Sequence, residues 1–156
     1  MNLKSHTSGK NRTTLYTGIG IILIITLVMG LRSAGAQDQS TEISEHQFLY
    51  EYIYFKIDST IILPSSDEVL KRKAMWLKQN PDAIVMIEGY CDSRGSEISN
   101  LILGEARAGK IKTYLVQQGI PSSRLLAISY GETDPVDPGK NEEAYSKNRR
   151  VRFVLQ

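Results

Sequence analysis

From Tyr52 onward the apolar positions of this chain follow two periods in turn. Tyr52-Ile53-Tyr54-Phe55-Lys56-Ile57 is aromatic and β-branched, which predicts a first strand. Ser65 and Glu68 stand at capping-box spacing and open a helix. Leu70, Ala74 and Leu77 form its apolar face at i, i+4 and i+7, Trp76 is expected to pack as core or half-exposed, and Asn80-Pro81 ends the helix. Residues 83–87 are an unbroken apolar run, as in a central strand buried on both faces. Residues 96–118 predict a long helix interrupted near Gly104, with Leu101, Ala108, Ile111 and Leu115 toward the core and Gly119 as its stop. A third strand (125–130), a Pro-containing loop (134–139), a short helix (142–147) and a last strand (151–155) follow. Strands alternating with helices predict an α/β (α+β) two-layer sandwich. Two long helices for four strands cover one face of the sheet.

Upstream the pattern changes. Residues 1–14 are polar and basic, and 15–31 form a continuous weakly polar to apolar run. After Arg32, Ser33-Ala34-Gly35-Ala36 fits a small-x-small cleavage site before Gln37. A helix over 15–31 would be about 25 Å long at ~1.5 Å per residue, short of the ~30 Å hydrocarbon core. Residues 1–36 are therefore read as a signal peptide or an N-terminal membrane anchor, with both readings open. Under either one, the basic N-terminal flank puts the remainder outside the cytoplasm. Residues 37–47 read as a polar linker, and 48–156 as the domain.

That division changes the charge. Residues 1–36 carry four of the 19 Lys and Arg and none of the Asp or Glu, so the rest holds 15 basic against 17 acidic side chains. A net −2 gives no support to nucleic-acid binding. Cys91 is the single cysteine, which excludes an internal disulfide and leaves no leader cysteine to carry a lipid.

Candidate chemistry concentrates in Gly89-Tyr90-Cys91-Asp92-Ser93-Arg94-Gly95 and Asn100-Leu101-Ile102-Leu103-Gly104-Glu105-Ala106-Arg107. An acid at a strand end and an arginine on the next helix can converge on one pocket. The pocket would offer a carboxylate to an ammonium and a planar fork to a carboxylate. A zwitterionic amino-acid head is the simplest ligand with both groups.

These blocks, with Ser129-Tyr130-Gly131-Glu132 and Lys147-Asn148-Arg149-Arg150-Val151-Arg152-Phe153, resemble the OmpA-like peptidoglycan-binding domain over about Tyr52 to Leu155, most closely its peptidoglycan-associated lipoprotein branch. The resemblance implies a βαβαβ(α)β fold with a mixed four-stranded sheet. It implies a periplasmic, outer-membrane-associated protein of a Gram-negative-type envelope that tethers the envelope to the wall. The implied ligand is the diaminopimelate of the peptidoglycan stem peptide. Asp92 is expected to take its ammonium and Arg107 a carboxylate, with Arg94 as a second carboxylate donor. Tyr90, Asn100 and Phe55 are expected in support. Asp92 and Arg107 are expected to pair while the site is empty. Tyr90 and Lys56 depart from residues common in the family close to the pocket. Arg149 and Arg150 read as sheet-edge ion pairs. Tol-system or other envelope proteins are implied partners, as is the membrane if residues 15–31 are retained.

Enzymatic readings lack a constellation. The histidines are His6 in the leader and His46 in the linker, so Cys91 has no partner base in the domain. No metal-ligand cluster or phosphate-cradling glycine loop stands out, and no metal or cofactor is expected. A stator role is disfavoured because residues 15–31 hold no ionisable side chain. The competing reading is a structural or partner-binding envelope protein of the same fold that does not engage peptidoglycan.

Overall fold

The period-two rows of the strands and the 3.6-period stripes of two long helices meet in one core. In the computed structural model, which describes residues 43–156, they build α1 (Glu45–Tyr50), β1 (Ile53–Tyr54), α2 (Pro64–Gln79), β2 (Val85–Tyr90), α3 (Glu97–Gln117), β3 (Leu125–Gly131), α4 (Glu142–Asn148) and β4 (Arg150–Leu155). The expected leader, residues 1–36, and the linker up to residue 42 lie outside the described residues.

The strands form one mixed sheet in the order β1-β4-β2-β3. β4 runs antiparallel to both β1 and β2, while β2 and β3 are parallel. A parallel pair needs a crossover, and α3 supplies it. Val85 and Ile87 point into the core with Leu70, Leu77, Ala108, Ile111, Leu115, Leu125, Val151 and Phe153. Met86 and Glu88 pair in register with Leu126 and Ile128 on the opposite face, where Leu126 and Ile128 are exposed. One covered face is what the count of helices and strands predicts, and a four-stranded mixed sheet is what the resemblance implies.

Several boundaries differ from the sequence expectation for visible reasons. β1 is shorter than expected, because its partner β4 begins at Arg150 and the chain then turns at Asp58, which has a positive φ of 46°. Only the Phe55 N–H, donating to the Arg149 carbonyl, prolongs the pairing. α2 starts at Pro64 with Leu63 as N-cap, without the expected Ser65 capping box. Proline suits that first helical position because its φ is preset and its missing N–H is not needed. β2 extends past the apolar run to Tyr90, since Glu88 is neutralised within the sheet by Arg152 at 2.7 Å. α1, with a Ser44–Gln47 capping box, overlaps the stretch expected as linker. It docks through Phe48, whose ring stacks on Trp76 at 4.3 Å.

α3 is continuous, so Gly104 does not interrupt it. Gly104 instead lies against Gly89 of β2, where an added Cβ would overlap the partner's backbone. That close approach sets how near the helix sits to the strand end. Asn100, Gly104, Arg107, Ala108, Ile111 and Leu115 make the buried stripe, while Leu101, expected in the core, is exposed.

One buried charge has a measurable consequence. Lys73 is fully buried, its ammonium donating to the Phe48 carbonyl and lying 4.4 Å from the Phe153 ring centroid. Burial pulls its pKa down to about 7, with Glu51 opposing. The folded protein therefore releases this proton at a lower pH than the unfolded chain does. Stability is expected to rise from about pH 7 toward pH 10. Lys73→Met is expected to be more stable than the parent by about 1–3 kcal/mol at pH 6 and to lose the alkaline rise. Urea denaturation across that range checks it; parallel profiles for the two proteins would contradict it.

Candidate functional site

β2 ends at Tyr90, and a five-residue stretch leads to Ser96, whose hydroxyl caps α3 by accepting from the Ser99 N–H at 3.2 Å. Gly95, with φ 98°, makes the turn that a side chain would strain. Asn100 then fixes the loop from the first turn of the helix. Its amide donates to the carbonyls of Asp92 (3.2 Å) and Arg94 (3.0 Å) and to Glu132 Oε2 (2.6 Å).

Asp92 is held in this loop with 5% of its surface exposed. Its Oδ1 accepts from the backbone N–H and Nε of Arg94, at 3.1 and 3.0 Å. Its Oδ2 accepts from Arg94 Nη2 at 2.8 Å and Arg149 Nη1 at 3.1 Å. Burial raises the carboxyl's pKa, but the hydrogen bonds from Arg94 and Arg149 outweigh it and hold the group at about 2. Asp92 is thus ionised throughout the physiological range. Glu142, at the start of α4, accepts from Arg149 Nη2 (2.7 Å) and lies 3.3 Å from Arg94 Nη1. The Arg94 guanidinium rests on the Tyr145 ring, 4.3 Å from its centroid.

Arg107 is completely buried. Its Nε donates to the Ser59 carbonyl (3.0 Å), Nη2 to the Lys56 carbonyl (3.1 Å), and Nη1 to the Tyr90 carbonyl (2.9 Å) and Cys91 Sγ (3.3 Å). It thereby ties the β1–α2 loop, the end of β2 and α3 together. Burial lowers its pKa, and among the described residues no carboxylate lies within ion-pair distance of it. The expected Asp92–Arg107 pair does not form, because Arg94 and Arg149 saturate the acid. Nor is the fork free: the contacts above engage four of its five N–H groups, three of them on carbonyls.

Asp92, Arg94, Asn100 and Arg107 nevertheless line one cavity of about 130 Å³, with Ile57, Asp58, Cys91 and Arg149. Three arginines face two aspartates there, so the lining carries excess positive charge. The thiol of Cys91 is buried and its pKa is raised by burial, which suits a neutral wall rather than a nucleophile.

Two residues expected in support stand elsewhere. The Tyr90 ring belongs to the open face of the sheet, with its hydroxyl donating to Glu88 at 2.8 Å and its ring stacked on Tyr130. Only its carbonyl meets Arg107. Phe55 packs in the core with its ring 5.2 Å from the Arg107 guanidinium, outside the cavity lining. Lys56 likewise contributes its carbonyl alone. Arg149 was expected at the sheet edge, yet it enters the cavity. The signal that could have found it is the antiparallel pairing of β2 and β4, which sets Val151 beside Gly89 and so the start of β4 beside the Asp92 loop.

Among the described residues no helix is long and apolar enough to cross a membrane, and no group of three or more His, Cys, Asp or Glu could hold a metal. The OmpA family model matches residues 54–149. The peptidoglycan-associated lipoprotein of Agrobacterium fabrum is 35% identical over 127 residues, covering 81% of this chain and 72% of that protein. Its counterpart in Rhizobium meliloti is 41% identical over 103 residues, covering 66% and 58% respectively. The crystal structure of the peptidoglycan-associated lipoprotein from Burkholderia pseudomallei superposes with a TM-score of 0.66 at 32% identity, covering 67% of this chain and 89% of that one.

Proposed function

The chain belongs to the OmpA family, and from that premise we propose that it binds peptidoglycan in the cell envelope, without catalysis, through the diaminopimelate of the stem peptide. The relatives' name, peptidoglycan-associated lipoprotein, supports the wall as the partner. The observation that carries the finer reading is a buried guanidinium without a carboxylate, sharing one small cavity with an ionised acid. An amino-acid head supplies the missing anion and a cation in one group. The ligand carboxylate would displace the weakest of Arg107's acceptors, the Cys91 sulfur, and so receive one N–H from Nη1 and the remaining one from Nη2. Tol-system proteins are further candidate partners through the same family, and the outer membrane is the proposed location.

Hydrogen bonds to charged groups contribute about 1.5–3 kcal/mol each. Two or three of them, offset by displacing Arg94 and ordering the ligand, correspond to roughly micromolar to millimolar affinity. A polymeric wall compensates through effective concentration once the protein is tethered. Weak, exchanging contacts suit attachment to a wall that grows.

Co-sedimentation with sacculi tests this. The full chain is expected to pellet with diaminopimelate-type sacculi and to do so about tenfold less with lysine-type sacculi, which lack the distal carboxylate. Indifference to wall type would reject the diaminopimelate reading. Failure to pellet with either would leave the fold to a protein partner instead.

A further inference from the structure

Ligand entry meets an obstacle that the cavity itself presents. A carboxylate has roughly four acceptor positions, and all four of Asp92's are filled, three by Arg94 and one by Arg149. An ammonium can reach Asp92 only if one arginine side chain leaves. Arg149 is poorly placed to leave: its side chain is 8% exposed, and it is also held by the Phe55 carbonyl and Glu142. The Arg94 side chain is 38% exposed, sits over the Tyr145 ring, and already reaches Glu142 with the nitrogen that Asp92 does not use.

We infer that Arg94 is a two-station latch that sets ligand specificity. In the free protein its guanidinium occupies the ammonium position on Asp92; when ligand enters, it slides along Tyr145 to Glu142 and meets the ligand's carboxylate. This rests on the reading of the cavity as a diaminopimelate site and adds a selection rule to it. A head with both charges repays the broken Arg94–Asp92 pair with a new one. A head with an ammonium alone takes Arg94's place on Asp92 but offers the displaced guanidinium no carboxylate, so the latch discriminates against lysine-type stems. Glu142 and Tyr145 act as positioning residues for the second station.

The test is calorimetric titration of the full chain with two soluble probes, L-Ala-γ-D-Glu-diaminopimelate and the same tripeptide with lysine. In Arg94→Ala and Arg94→Gln the lysine tripeptide is expected to bind about three- to tenfold tighter than in the parent, while the diaminopimelate tripeptide binds more weakly. Opposite responses to the two probes would not come from a loosened loop, which weakens both. Unchanged or weaker lysine-peptide binding in both variants overturns the latch while leaving the site intact. Binding of neither peptide by the parent chain removes the diaminopimelate site, and the latch with it.

Discussion

Arg107→Lys is expected to lose sacculus binding and to destabilise the domain together, despite keeping the charge. The guanidinium reaches three carbonyls on two separate segments, those of Lys56 and Ser59 in the β1–α2 loop and that of Tyr90 at the end of β2. An ammonium at the end of a flexible stem is a point charge and cannot span them. Each buried carbonyl left without a donor costs about 1–3 kcal/mol, so a loss of about 3 kcal/mol or more is expected in urea denaturation. Binding is expected to fall by about 10- to 100-fold in protein still folded, because the ligand carboxylate loses its paired N–H groups. Near-normal retention on sacculi by the folded variant would remove Arg107 from the site. Retained stability would show that its carbonyl contacts contribute little.

Gly89→Ala is expected to be nearly as damaging for a steric reason. A Cβ there overlaps the carbonyl of Gly104, and neither atom belongs to a side chain that can rotate away. Overpacking of side chains costs about 1–3 kcal/mol; a clash between two backbones is expected at or above the top of that range. Because Gly89 precedes Tyr90, Cys91 and Asp92, shifting the strand away from α3 also moves the acid from the arginine. Gly109→Ala, on α3, is the matched control: its added Cβ meets no neighbouring element within 4 Å. That substitution is expected to stabilise the domain by about 0.5–1 kcal/mol through helix propensity. Thermal unfolding of the two variants beside the parent checks both signs, and equal melting temperatures would contradict the close-approach argument.

The two glycines also mark what could be read from the sequence. Strand and helix order, the one covered face and the residues of the Asp92 loop followed from apolar periodicity and from the family's motifs. Gly104 reads as a helix interruption in the sequence because helix propensity is a local property. Whether a glycine breaks a helix or admits a neighbouring backbone depends on a strand 15 residues away in sequence. The position of the Tyr90 ring has a related cause. Strand alternation turns its ring to the open face once β2 extends past Ile87, and that extension depends on Arg152 neutralising Glu88 across the sheet. The partners of Asp92 were half legible. Arg94, two residues away, stands out in the sequence as a ligand donor, whereas in the fold it is the acid's own occupant. Arg149 is 57 residues away and is delivered by β-pairing. The helix α1 was hidden because its polar sequence offers one buried side chain, Phe48, and no period.

On the proposed reading, one cavity holds both charges of a zwitterionic head between Asp92 and Arg107. Arginine Nε–Hε and aspartate carboxyl resonances, followed by NMR as the diaminopimelate tripeptide is added to the folded chain, test it most directly. Expected are saturable, simultaneous shifts at Asp92, Arg94 and Arg107, with Arg152 on the opposite face unmoved. Saturation with Asp92 and Arg107 silent, and shifts gathered around Arg152, would contradict it.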